Sequence, residues 1–330
     1  MAVKKTKFAS RLMLGLGTLL MGVSVSVNAQ ADNFPDKPIT LMIPYPPGGS
    51  ADMLARPVAA KMQEELGQPV VLEYKPGAGG TIATAQLARS KPDGYTVLMV
   101  LAAHAINDSM YGSLTYDTEK DFAPVTMLAT LPLLVAAPHK TPANNIQELI
   151  DYAKKHPDEL TFASAGNGNT SHLAAELFKK ETGVEMMHIP YKGSGPAVVA
   201  LLAGEVSLMF DSISTSAPQV AAGKLKALAV TGAKRSAILP DVPTVSESGL
   251  PGFEIDGWYG IIAPAGTPDA VVNKLYEAFT SAAQDPEIRE QLGGFGYEVV
   301  GTPPHEFKAH ISREIQKWKV AVDQSGAKID

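Results

Sequence analysis

The sequence predicts an α/β protein of two lobes, each a mainly parallel sheet flanked by helices, the two joined by two crossover segments. Three observations predict it. A strand, glycine turn, helix order recurs from residue 39 onward, which argues for βα units and parallel strand pairing. Two apolar stretches, residues 125–137 (interrupted by Pro132) and 253–263, break that order and read as crossings between lobes. The chain has 330 residues, 45% of them hydrophobic, which is enough for two cores.

The N-terminus carries Lys4, Lys5, Lys7 and Arg11, then an apolar run over residues 12–27, then Ala29-Gln30-Ala31. Basic start, short apolar run and small-x-small ending define a secretory signal peptide over residues 1–31, cleaved after Ala29 or Ala31. The run is short for a membrane span and an acidic, soluble-looking sequence follows it. There is no cysteine, so no disulfide framework and no lipid-bearing Cys, a composition that suits the periplasm. Residues 1–31 hold four of the 28 basic residues and no acidic one. The remainder therefore sets 24 basic against 34 acidic residues, a formal charge of −10. Nucleic acid is excluded as a partner by the lack of clustered Lys and Arg.

Taken in order, Ile39-Thr40-Leu41-Met42-Ile43 reads as a buried strand, and Leu54, Val58, Met62 and Leu66 repeat at helical spacing. Between them lies Pro44-Tyr45-Pro46-Pro47-Gly48-Gly49-Ser50-Ala51-Asp52. The prolines stiffen this turn, and Gly48 and Gly49 let main chain approach a ligand with no Cβ in the way. Free N–H groups at the helix start, with Ser50 or Asp52 as caps, favour a carboxylate or phosphate. Pro57 either kinks this helix or moves its start to near Arg56.

The arrangement returns as a strand at 70–75, the loop Pro76-Gly77-Ala78-Gly79-Gly80-Thr81 and a helix at 82–88. It is not a dinucleotide fingerprint, because Ile82 stands at the third glycine's place, and it is not a P-loop, which needs Gly-Lys-Ser/Thr. A third strand spans 95–101, after the Pro92-Asp93-Gly94 turn. Such sheets bind ligands beyond the carboxyl ends of their strands, where both glycine turns lie.

The second lobe begins after residue 132. It reads as a helix at 145–155, a strand at 160–164 and a helix from Ser171. The turn between strand and helix carries Ser164, Gly166, Asn167, Gly168, Asn169 and Thr170, and His172 follows in the first helical turn. Strand 186–190, helix 195–203 and strand 206–210 come next, with Asp211 and Ser212 at the rim, then strand 226–231. The chain returns through 253–263, where Trp258 reads as core or hinge packing, and ends in amphipathic helices at 268–285 and 304–324. The expected division is 32–132 with 256–330 for one lobe and 133–255 for the other, a layout that hinges shut on a ligand.

An enzyme would use Asp52, His172 and Asp211 as acid–base groups or Ser164 as a nucleophile. Against this, there is no Gly-x-Ser-x-Gly elbow and no metal-binding His spacing.

Seven segments carry a family resemblance: Pro44-x-x-Pro47-Gly48-Gly49-x-x-Asp52, Lys75-Pro76-Gly77-Ala78-Gly79-Gly80, Asp93-Gly94-Tyr95-Thr96, Asp121-Phe122-Ala123-Pro124-Val125, Ser164-Ala165-Gly166-Asn167-Gly168 with His172-Leu173, His188-Ile189-Pro190-Tyr191-Lys192-Gly193, and Leu239-Pro240-Asp241-Val242-Pro243-Thr244. In this order they resemble the Bug-type substrate-binding receptors of tripartite tricarboxylate transporters. The resemblance implies a type II-like periplasmic binding fold, a monomer without cofactor or metal, that closes on a small organic carboxylate. The ligand would be a di- or tricarboxylate, an acidic amino acid or an aromatic carboxylate, passed to membrane transporter subunits. By the same resemblance, Tyr45, Gly48, Gly49, Ser50, Asp52 and Gly77 to Thr81 hold one end of the ligand, while Ser164, Gly166, Asn167, Asn169, Thr170, His172 and Asp211 meet the other. The same sequence would also serve a ligand-loaded protein that docks on a sensor kinase.

Overall fold

In the computed structural model, residues 33–157 and 159–325 are described; the signal peptide read over residues 1–31 lies outside them. The first sheet runs β2 (Val70–Tyr74), β1 (Ile39–Ile43), β3 (Thr96–Leu101), β9 (Asp256–Pro264), β4 (Phe122–Ala137), with β10 (Glu298–Val299) also on β4. β1 pairs parallel with β2 and β3, and the crossing strands β9 and β4 add on antiparallel. The second sheet continues from the far half of β4 through β7 (Leu208–Ser212), β5 (Thr161–Ser164) and β6 (Met187–Pro190), with β8 (Lys226–Val230) also on β4. Its core, β7–β5–β6, is again parallel.

β4 belongs to both sheets. Up to Pro132 it pairs with β9, and from Leu133 it pairs with β7 and β8. Proline suits the switch, since it gives no ladder N–H at the point where partners change. The other crossing lies beside it, sewn on by Thr231. Leu133 N donates to Thr231 Oγ1 (2.9 Å), Thr231 N donates to Leu133 O (3.0 Å), Ile255 N donates to Thr231 O (3.0 Å), and the Thr231 hydroxyl donates to Ile255 O. One fully buried side chain thus satisfies backbone groups of both crossings.

Helix α1 (Ser50–Leu66) runs through Pro57 rather than starting near Arg56. The proline forfeits one helical hydrogen bond, but Leu54, Val58 and Met62 are fully buried, each worth about 1.5–3 kcal/mol. Gly67 ends the helix at φ 64°. A 3₁₀ turn (Ala78–Gly80) leads into α2 (Thr81–Ala88), and α3 (Ala103–Met110) begins directly after β3. The sequence marks the strand end at residue 101 but sets no bounds for this helix. The second lobe adds α4 (Ile146–Lys155), α5 (Thr170–Thr182), α6 (Ser194–Ala203) and α7 (Ile213–Ala221). α8 (Asp269–Gln284), α9 (Pro286–Gly294) and α10 (Pro304–Ser325) return to the first lobe. The faces read from their periodicity are the buried ones: Val271, Leu275, Ala278 and Phe279 on α8, Phe307, Ile311, Ile315 and Trp318 on α10. Trp258 packs edge-on to Phe307, and its Nε1 donates to Glu314 Oε2 (3.0 Å) beside the same bond from Trp318 (2.8 Å). Among the described residues no helix is long and apolar enough to cross a membrane.

Candidate binding cleft

A cavity of about 30 Å³ lies between the two sheets, at the carboxyl ends of their parallel strands. Five helices start on it. Its lining includes Gly49, Ser50 and Ala51 at the start of α1, Ala102 before α3, Asn169, Thr170 and Ser171 at α5, Gly193, Ser194 and Gly195 at α6, and Ser212 before α7. Only Asn169 caps its own helix with a side chain, accepting from Ser171 N (2.9 Å); the other four have none. Their first-turn N–H groups are therefore open to an outside acceptor, and the helix dipoles favour a negative one. Tyr45, Trp258 and Tyr259 close the walls. Among the described residues, no Asp, Glu, His, Lys or Arg lines the cavity.

Contacts across the cleft hold the lobes together. Asn169 Nδ2 donates to the Tyr45 hydroxyl oxygen (3.0 Å), and the Ser212 and Ser50 hydroxyls pair at 3.2 Å. The Tyr297 hydroxyl donates to Ser50 O and lies 3.4 Å from Ser214 Oγ. Burial pushes the Tyr45 and Tyr259 hydroxyls up to about 12, so both stay protonated and able to donate at neutral pH.

Of the site residues expected from the sequence, Tyr45, Gly49, Ser50, Asn169 and Thr170 line this cavity. The others do not line it. Asp52 faces the α1 turn: its carboxylate accepts from Gly48 N (2.8 Å), Arg56 Nε (3.1 Å) and the Tyr74 hydroxyl. The loop from Gly77 to Thr81 forms a brace at the rim. Gly79 O accepts from Asn107 Nδ2 (3.0 Å), Thr81 Oγ1 donates to Ala78 O (2.9 Å), and a Cβ on Gly79 or Gly80 would stand 3.2 Å from Asn167 O or 3.3 Å from Pro44 Cβ.

Strand parity explains Ser164 and Asp211, while His172, on α5, stacks against His188 on the same hidden side. Phe162 and Ser164 share one face of β5, whereas Ala165, one step on, reaches the cavity. On that hidden face Phe162, His188 and His172 stack, the two imidazoles 4.0 Å apart. Ser164 Oγ meets His188 Nε2 at 2.6 Å while accepting from Gly166 N (3.2 Å), and His172 Nδ1 accepts from Gly168 N (3.4 Å). The pair thereby props the Gly166–Gly168 turn from below. Asp211 likewise lies one residue from the cleft-lining Ser212 and is fully buried. Lining residues outside the expected set include the α6 start, Ala102 before α3, Ser212 and Tyr259. The first was signalled by Lys192-Gly193-Ser194-Gly195, a further glycine turn between strand and helix.

Burial holds His172 at about 4 and His188 at about 3, His188 also through the neighbouring imidazole. Both values lie below the unfolded value of about 6.5, so below that pH the unfolded chain takes the protons first. Their stabilisation is complete above pH ~6.5 and is lost as pH falls toward their folded values, on the order of 2 kcal/mol per histidine by pH ~5. Asp211, raised by burial to about 6, has the opposite sign: its contribution is present at low pH and lost as pH rises through about 6. Urea midpoints measured between neutral pH and pH ~5 should fall less steeply for His188→Asn than for the parent. An equal slope would show that the imidazoles are not buried as described.

The fold and cleft place the protein among two-lobed periplasmic binding proteins. Comparison with known proteins gives the family: residues 54–327 match the tripartite tricarboxylate transporter family receptor, and the chain belongs to that family. It is 36% identical to BugT of Bordetella pertussis over 97% of this chain and 99% of that one. The structure of the periplasmic binding protein BugD superposes with a TM-score of 0.86 at 38% identity, covering 89% of this chain and 99% of the other. MatC from Rhodopseudomonas palustris, solved with bound malate, is 35% identical with a TM-score of 0.84, over 88% and 100% of the two chains. A further R. palustris protein, solved with adipate, is 36% identical with a TM-score of 0.86, over 89% and 99%.

Proposed function

We propose that this chain is a periplasmic receptor that captures a small organic carboxylate between lobes 32–132 with 256–330 and 133–255. It delivers the ligand, as a monomer and without turnover, to a membrane transporter of the tripartite tricarboxylate type. The observation that carries this reading is the convergence of five helix starts on a cavity free of charged side chains. An anion there gains charge-assisted hydrogen bonds of about 1.5–3 kcal/mol each before desolvation. Malate and adipate in the two related structures support the ligand class. Tyr45, Gly49, Ser50, Asn169 and Thr170 contact the ligand, joined by Ser171, Ser194, Ser212 and Tyr259. Gly48, Asp52, Gly77, Ala78, Gly79, Gly80, Thr81, Ser164, Gly166, Asn167, His172 and Asp211 hold the loops that present them.

A thermal-shift screen of carboxylates tests the reading, because a ligand at 100 times its Kd adds about 2.7 kcal/mol of stability. No stabilisation by any di- or tricarboxylate, acidic amino acid or aromatic acid would refute it. Lys75 is ion-paired with Glu73 (2.8 Å) and stands off the cavity, so Lys75→Ala should change affinity less than about threefold. Calorimetric titration with the best ligand of the screen checks this.

A further inference from the structure

A second, smaller cavity lies where α3, the segment 111–121, the first sheet and α10 meet, and it shares no lining residue with the cleft. It measures about 10 Å³, room for about one water-sized sphere. Phe122, Pro124, Ile262 and Ile311 give it apolar walls. Two polar side chains line it from the interior: His104, 4% exposed, and Thr118, 3% exposed. Neither ring nitrogen of His104 has a hydrogen-bond partner among the described residues, and neither has the Thr118 hydroxyl. The imidazole packs edge-on to Phe122, with ring centroids 5.5 Å apart, which fixes its plane.

Burial holds His104 at about 4, against a smaller opposing pull from the Thr118 backbone, so at neutral pH the imidazole is uncharged and offers one N–H and one lone pair. Buried polar atoms left bare are costly, and an occupant able to donate and accept at once relieves both side chains. Charge does not favour an ion. One cation, Lys308, and one carboxylate, Glu119, stand at the exposed rim, the carboxylate accepting from Ser312 Oγ. Size, neutrality and two-way hydrogen bonding together describe a water. We propose that this cavity is a binding site for one internal water, which bridges an imidazole nitrogen of His104 and the hydroxyl of Thr118. The water thereby pins α3 to the segment that follows it. The cleft depends on that helix at two points: Ala102 lines it just before α3, and Asn107, further along, holds Gly79 O.

A crystal structure of the purified protein should show one water-sized density peak within hydrogen-bond distance of both a His104 ring nitrogen and Thr118 Oγ1. No peak there overturns the proposal. So does a peak that gives an anomalous signal after bromide replaces chloride, since the occupant would then be an anion. Thr118→Val decides by sign. With water bound, the variant removes one of its partners and should lower the urea midpoint by roughly 0.3–1 M. In a dry cavity the methyl replaces a hydroxyl that had no partner, and a midpoint that holds or rises overturns the proposal. A double-mutant cycle with His104→Phe separates a bridge from two independent effects: the two losses should fall short of adding, because either change alone already breaks the bridge. Additive losses overturn it. Should a variant fail to fold, the crystal structure of the parent decides alone.

Discussion

Gly193→Val should abolish measurable ligand binding, an affinity loss of more than about 100-fold, while the protein remains folded. Two physical effects act together. Gly193 has φ 108°, where a side chain costs about 1–3 kcal/mol of strain. Its missing Cβ also points at the other lobe: an atom there would stand 3.1 Å from Pro46 Cδ, across the cleft. A branched side chain at that point holds the lobes apart and shifts the α6 start whose amides face the cavity. Calorimetric titration measures the binding, and a urea melt separates this effect from unfolding, since strain alone would move the midpoint modestly. Parental affinity in the variant would show that the α6 start neither meets the ligand nor touches the other lobe.

Thr231→Val should cost roughly 2–5 kcal/mol of stability with almost no change in volume. The valine keeps the shape but removes the oxygen that pairs with Leu133 N and Ile255 O, stranding a donor and an acceptor inside the hinge. Both crossings of the chain depend on that oxygen. Chemical denaturation gives the answer, and a loss under about 0.5 kcal/mol would mean that water satisfies these groups.

Much of this architecture was legible because it follows from periodicity. The apolar spacing of α8 and α10 identified their buried faces, and strand–glycine–helix order put β1, β2 and β3 in a parallel arrangement. The break in the apolar run at Pro132 marked where β4 changes partners. The bounds of α3 were not legible, since the short apolar segment after residue 101 carries no period of its own. At the cavity, Tyr45, Gly49, Ser50, Asn169 and Thr170 line the wall, whereas Ser164 and Asp211 do not. Ser164 and Asp211 sit at the correct strand ends yet on the wrong side of their strands, and one residue of parity moves a side chain from the cavity to the core. His172 was placed correctly in the first turn of α5, but its partner His188 lies 16 residues on, a pairing no local pattern encodes. Gly79, which the resemblance implied would help hold one end of the ligand, has Asn107 Oδ1 and the backbone of Asn167 where a Cβ would stand. A larger residue there would act by blocking contact between the lobes.

The central claim is that a chain of negative formal charge holds an anion with helix N-termini and neutral hydroxyls, without a side-chain cation in contact. The dissociation constant of the best carboxylate, measured by calorimetry from ~0.01 M to ~1 M sodium chloride, tests it most directly, because the screening length then shrinks from about 30 Å to about 3 Å. Buried amide contacts are poorly screened, so the account predicts a change of less than about threefold across that range. A weakening of more than about thirtyfold would mean that lysine or arginine charge holds the ligand, and would contradict it.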